Sequence, residues 1–161
     1  MTDDLPPHDP AAERLTLCGL LVDFEAVWPA VARFGLAAED FFMWANRVAF
    51  ARVVECFEAR ADDYLPRALY HRLRLTGEAA DFGGGVGRWV AETLECRPPP
   101  PRWDEDEVPA AVWAAVAAGR VRQLAVCRRL IHSAREVLRD ARSPCHDPAR
   151  YERQLAALEV A

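Results

Sequence analysis

Four consecutive prolines, Pro98 to Pro101, lie within RPPPPRWDEDE (97–107) and break the chain into two helical parts. A run of prolines has no backbone donors and a fixed φ, so it enters neither a helix interior nor a central strand and favours an extended polyproline segment. On both sides of it apolar residues recur at helical spacing, and no stretch reads convincingly as a strand. The expected architecture is all-α: a compact multi-helix head over 1–96, the proline-rich linker over 97–107, and a helical hairpin over 108–161.

Periodicity and punctuation predict helices at about 10–22, 24–34, 44–60, 65–76, 86–96, 108–142 and 148–159. Asp9 caps the first, because Pro10 gives up only an amide that has no helical partner and supplies a φ suited to a helix. Leu15, Cys18, Leu21 and Val22 form its apolar face. Asp23 caps the second, with Val27, Val31 and Phe34 inward and Gly35 at its end, while Pro29 at the sixth position is expected to kink or delay it. The third carries a Phe50, Val53, Val54, Phe57 stripe, and the fourth buries Leu65, Leu69 and Leu73 behind the caps Asp62 and Asp63. Most of the tryptophans (Trp28, Trp44, Trp89, Trp103 and Trp113) are expected in the core; Trp103, in the linker beside acidic residues, is a candidate partner anchor.

The arm helix opens with Asp104 to Glu107 and closes with Arg135, Arg139 and Arg142, charges that complement the helix macrodipole at both ends. Leu124, Ile131 and Leu138 repeat every seven residues beside a narrow stripe of Ala117, Cys127, Ala134 and Ala141, where small side chains let another helix approach closely. After Ser143-Pro144 a second helix carrying Tyr151, Leu155 and Leu158 is expected to fold back as a hairpin. The stripe is wider than one short returning helix covers, so part of it is expected to meet a second copy, with a two-fold dimer as the simplest closed solution.

Every one of the twenty basic residues is arginine. No demand for surface charge excludes lysine so completely, and we read this as a coding bias toward high GC. A P-loop NTPase needs GxxxxGK[ST], whose lysine reaches the β- and γ-phosphates, so these residues hold no such motor. FGGGVG (82–87) follows no strand and reads as a loop leading into a helix. Cys145-His146 lacks a second Cys/His pair at ligand spacing, and Asp104 to Glu107 read as a solvated helix start. His71 and His132 are lone helical histidines, and no nucleophile, base and orienting group are marked out together. No catalytic residue, cofactor or metal is therefore expected. The cysteines, Cys18, Cys56, Cys96, Cys127 and Cys145, are odd in number and isolated, which favours reduced thiols over disulfides. No apolar run approaches the ~20 residues needed to cross a bilayer, and the chain starts acidic, so a cytoplasmic protein with no membrane partner is expected. The net charge of −5 points to weak or no nucleic-acid binding.

Four segments carry a family resemblance. DLPPHDPAAERLTLCGLLVD (4–23) resembles the opening of the N-terminal domain of DnaB-type replicative DNA helicases: a PPH lead-in, an acidic helix start and a Leu-Gly-x-Leu-Leu-x-Asp-like run, with Cys18 where leucine is usual. GLAAEDFFMWANRVAFARVVECFE (35–58) is similar to that family's acidic-aromatic turn and following helix, through Glu39-Asp40-Phe41-Phe42 and Phe50. FGGGVGRWVAETLE (82–95) and AGRVRQLAVCRRLIHSAREVLRDA (118–141) resemble its Gly-Gly segment and its long basic helix. Together they span roughly residues 5–159 in the family's order.

The resemblance implies a non-catalytic collar module that organises helicase hexamers as dimers arranged in threes and docks primase or helicase loaders. The chain ends at Ala161, where the family's linker to the motor would begin. Leu124, Cys127, Ile131, Ala134, Leu138 and Leu155 are the expected self-association residues, and Trp103, Arg128, Arg135 and Arg139 the expected partner-binding ones. Two alternatives are a helical nucleic-acid-binding protein using the arginines of the arm, and a helicase-binding domain of primase type, whose fold is related.

Overall fold

The computed structural model describes residues 5–60, 65–98 and 108–142, together with 149, 153 and 156. Among the described residues there are six α-helices and no strand: α1 (Pro10–Val22), α2 (Phe24–Ala32), α3 (Trp44–Glu58), α4 (Leu65–Leu75), α5 (Val86–Leu94) and α6 (Ala110–Ala141), with 3-10 turns at Ala38–Asp40 and Glu78–Asp81. The expected second hairpin helix, most of the proline linker, the caps Asp62 and Asp63 and the Cys145-His146 turn lie outside the described residues.

α1 is the axis of the molecule, packed on by α2, α3, α5 and α6. It starts as expected, with the Asp9 carboxylate accepting from the Ala12 amide at 3.0 Å and Pro10 in the first position. Its burial is broader than one stripe: Leu17, Cys18, Leu20 and Leu21 are all enclosed, whereas Val22, expected inward, is exposed because the chain turns there into α2. Each fully enclosed leucine contributes roughly 1.5–3 kcal/mol. The closest approach is at Gly19, where an added Cβ would lie 2.5 Å from Ala114 Cβ and 3.2 Å from the Trp113 ring.

That contact ties α6 directly to the other helices. Ala114, Ala117, Ala118 and Val121 share one core with Leu17, Val27, Val31 and Phe50, and Leu124 and Ala125 are buried as well, so the first half of α6 is a wall of the head. By length and composition alone α6 is apolar enough to cross a bilayer, and 39 % of that stretch is buried within the protein. At 1.5 Å per residue, Val126–Ala141 run about 24 Å past the last core residue.

Pro29 sits inside α2 without ending it; the helix stops at Ala32, and Gly35 follows with φ +59. Val27 and Val31 are buried and Phe34 partly so. α3 buries Ala49, Phe50, Val53 and Cys56, with Val54 and Phe57 at the margin, and α4 buries Leu69 and Leu73. Trp89 is buried and Trp28 and Trp113 pack against the core, but Trp44, expected inside, is 55 % exposed at the start of α3, its ring beside the Arg47 guanidinium at 5.9 Å. Gly84 and Gly85, with φ of +82 and +90, make the loop that leads into α5.

α3 has no cap of its own, and α1 supplies one. The Glu13 carboxylate, 2 % exposed, accepts from the amides of Phe42 at 2.6 Å and Met43 at 3.2 Å and from Asn46 Nδ2 at 2.9 Å. A buried carboxylate is tolerable when hydrogen bonds replace its water, and negative charge at a helix start also meets the macrodipole favourably. Arg52 ties α3 to the second 3-10 turn by a two-nitrogen grip on Glu78, at 2.8 and 2.9 Å, and is bonded to Glu55 as well.

Candidate interaction surface

Three stretches far apart in sequence meet at one junction: the Pro6-Pro7-His8 lead-in, the Asp40-Phe41-Phe42 turn and the middle of α6. Asp40 is its centre. Its carboxylate, 1 % exposed, accepts from the Ala37 amide at 3.0 Å, Arg122 at 3.1 Å and Arg129 at 2.9 Å, and its carbonyl accepts from Arg128. Arg128 also donates to the Pro7 carbonyl at 2.9 Å and lies 5.7 Å from the Phe42 ring centre, while His8 stacks on Phe42 at 4.4 Å. Burial lowers the Arg128 pKa from its ordinary guanidinium value, with Glu13 and Asp40 pulling the other way. Phe41, fully buried, packs on Phe50.

Two of the expected site residues turn inward. Arg128, expected to face a partner, is spent within the molecule. Leu124, expected in a self-association seam, is 7 % exposed and belongs to the core. A straight α-helix drifts by about 20° per heptad, so a repeat through 124, 131 and 138 rotates off the face it starts on. Ile131 and Leu138 are accordingly 38 % and 56 % exposed. With Cys127, which is half-buried, Ala134 and Ala141, they share one flank of α6, roughly 120° round from the core-facing side at 100° per residue. The exposed Val112 and Val116 continue that flank toward the start of the helix.

The remaining arginines point elsewhere. Arg139 is exposed and pairs with Glu136 at 3.4 Å, which also faces His132 at 3.6 Å. Arg135 is exposed and lines a groove of about 390 Å³ with Ile131 and the Leu5-Pro6-Pro7 segment. Trp103 and Leu155 lie outside the described residues. Asp40, Glu13, Arg122 and Arg129 were missed as organising residues; only the acidic-aromatic turn hinted at Asp40.

Cys18 and Cys56 are buried, and Cys96 and Cys127 partly so, all as free thiols. Burial pushes the Cys18 thiol up to about 11, with Cys96 adding to the rise and Arg97 opposing it. Among the described residues no group of three His, Cys, Asp or Glu is placed to hold a metal ion.

No protein-family profile and no curated protein matches the sequence. The fold does match. The crystal structure of the N-terminal domain of DnaB helicase from Mycobacterium tuberculosis aligns over 98 % of this chain and 100 % of that one, with a TM-score of 0.77 at 21 % identity. This is the DnaB N-terminal-domain fold. In this chain that fold brings three of the four resembling segments, the lead-in, the acidic-aromatic turn and the long basic helix, to the Asp40 junction, and the Gly-rich segment to the start of α5.

Proposed function

We propose that the chain is a non-catalytic protein–protein interaction module of the replicative-helicase collar type. It joins copies of itself through the outer flank of α6 and docks on the replicative helicase, its primase or its loader during DNA replication in the cytoplasm. The observation that carries this reading is the full-length match to the DnaB N-terminal-domain fold. Ile131, Leu138, Val112 and Val116 support the assembly half of it, since exposed apolar side chains in a row along one helix flank mark a surface made to be covered. The absence of any lysine, and so of a P-loop lysine within these residues, supports the non-catalytic half. A nucleic-acid role is disfavoured because Arg122, Arg128 and Arg129 are engaged with Asp40 and the chain is acidic overall.

The test is a pull-down with the tagged chain against the replicative helicase, primase and loader of the same organism. Recovery of at least one is the expected result. If all three ignore a protein that circular dichroism shows to be folded, the replication role fails.

A further inference from the structure

We propose that the groove between the Leu5-Pro6-Pro7 segment and the second half of α6 is a docking site for an acidic peptide that carries a large apolar side chain beside its carboxylates. The groove holds about 390 Å³ and is bounded by proline rings and Leu5 on one side and by Ile131 on the other. That volume falls within the ~300–1,000 Å³ of pockets that take small ligands. Its rim carries two guanidinium groups, those of Arg128 and Arg135, with His132 beside them. Among the described residues Arg135 faces no carboxylate within ion-pair distance, whereas Glu136 is taken up by His132 and Arg139. A guanidinium without an ion-pair partner on a chain of net charge −5 favours a carboxylate from outside.

The proline wall is held in place before any ligand arrives. Arg128 donates to the Pro7 carbonyl at 2.9 Å, and His8 bonds the Pro6 carbonyl at 2.8 Å while stacked on Phe42. A preformed wall lowers the ordering cost of binding. The apolar lining favours peptide over a phosphate backbone, which needs many cations and gains nothing from Leu5 and Ile131.

The proposal rests on the reading of the chain as an interaction module. Its test uses the purified chain and no replication protein, so failure here is distinct from failure of that reading. The probe is a fluorescein-labelled Trp-Asp-Glu-Asp-Glu peptide, the sequence of residues 103–107, followed by anisotropy. Saturable micromolar binding is expected, weakened about tenfold when the acids become amides, when Arg135 becomes Glu, and when Leu5, which lines the groove outside the α6 flank, becomes Asp. Arg139→Glu, outside the groove, stays within about twofold of wild type. Arg135→Gln and Leu5→Ala repeat the test with milder changes should either variant unfold, and are expected to weaken binding in the same direction. Absence of saturation, equal loss in Arg139→Glu, or displacement of the peptide by a single-stranded oligonucleotide would each overturn the proposal.

Discussion

Asp40 and Arg129, eighty-nine positions apart, are joined at 2.9 Å across the junction of head and arm. Arg122 reaches the same carboxylate from two turns earlier on α6, so one buried acid fixes the long helix against the head. Removing one partner of a buried ion pair costs about 3–5 kcal/mol. Here the arginines are 34 % and 45 % exposed and regain water, so Asp40→Asn is expected to cost about 2 kcal/mol. Urea unfolding measures it, and hydrogen exchange should quicken across Val126–Ala141. Unchanged stability would mean that apolar packing alone holds the arm.

Glu13 serves α3 as Asp40 serves α6. Glu13→Gln keeps the shape but sets an NH2 against amide donors, so one of Phe42 N and Met43 N loses its acceptor. A buried donor left without a partner costs about 1–3 kcal/mol. Amide exchange at Phe42 and Met43 should rise in the variant more than at Val53, in the middle of α3.

Gly19→Ala sets a gain in helix propensity of about 1 kcal/mol against a 2.5 Å clash with Ala114 Cβ. A Cβ on a packed helix cannot swing away, so the two helices must separate, and overpacking of this kind costs about 1–3 kcal/mol. A lowered thermal midpoint is expected; a raised one would mean that α1 and α6 pack less closely than this.

Stability should fall at both ends of the pH scale. Glu78 is held below the ordinary carboxylate value of 4.5 by its bonds from Arg52 and Thr76, against an opposing effect of burial. It contributes stability above that value and loses it as pH drops through its lowered pKa. Cys18 is raised from 9.0 to about 11 by burial, so its contribution is complete below pH 9.0 and lost as pH climbs through about 11. Unfolding curves across pH for Glu78→Gln and Cys18→Ala should flatten the acid and alkaline limbs respectively.

The helix boundaries were legible because local chemistry sets them: Asp9 with Pro10, Asp23, Gly35 and Gly85 act on the backbone beside them. The partners of Glu13 and Asp40 were not, since a carboxylate at the start of a helix reads as solvated until an amide 29 residues away or an arginine 89 residues away is brought to it. The first half of α6 read as a free arm because alanines look weakly apolar in sequence. Their burial depends on Gly19 admitting Ala114, a fact of two helices together. Leu124 is buried where Ile131 and Leu138 are exposed for a geometric reason, the drift of a heptad on a straight helix. Ile131 and Leu138 lie on the exposed flank that the same periodicity singled out.

That flank is where the account is most exposed to test. If it joins copies, light scattering on the purified chain at tens of micromolar should give a mass at least twice 18.0 kDa. Ile131→Glu, which removes roughly 1.5–3 kcal/mol of burial and sets a charge in the seam, should return the mass to that of one chain with its helical signal intact. A wild-type protein that scatters as a monomer would contradict the assembly role and leave the likeness to the DnaB N-terminal domain one of fold only.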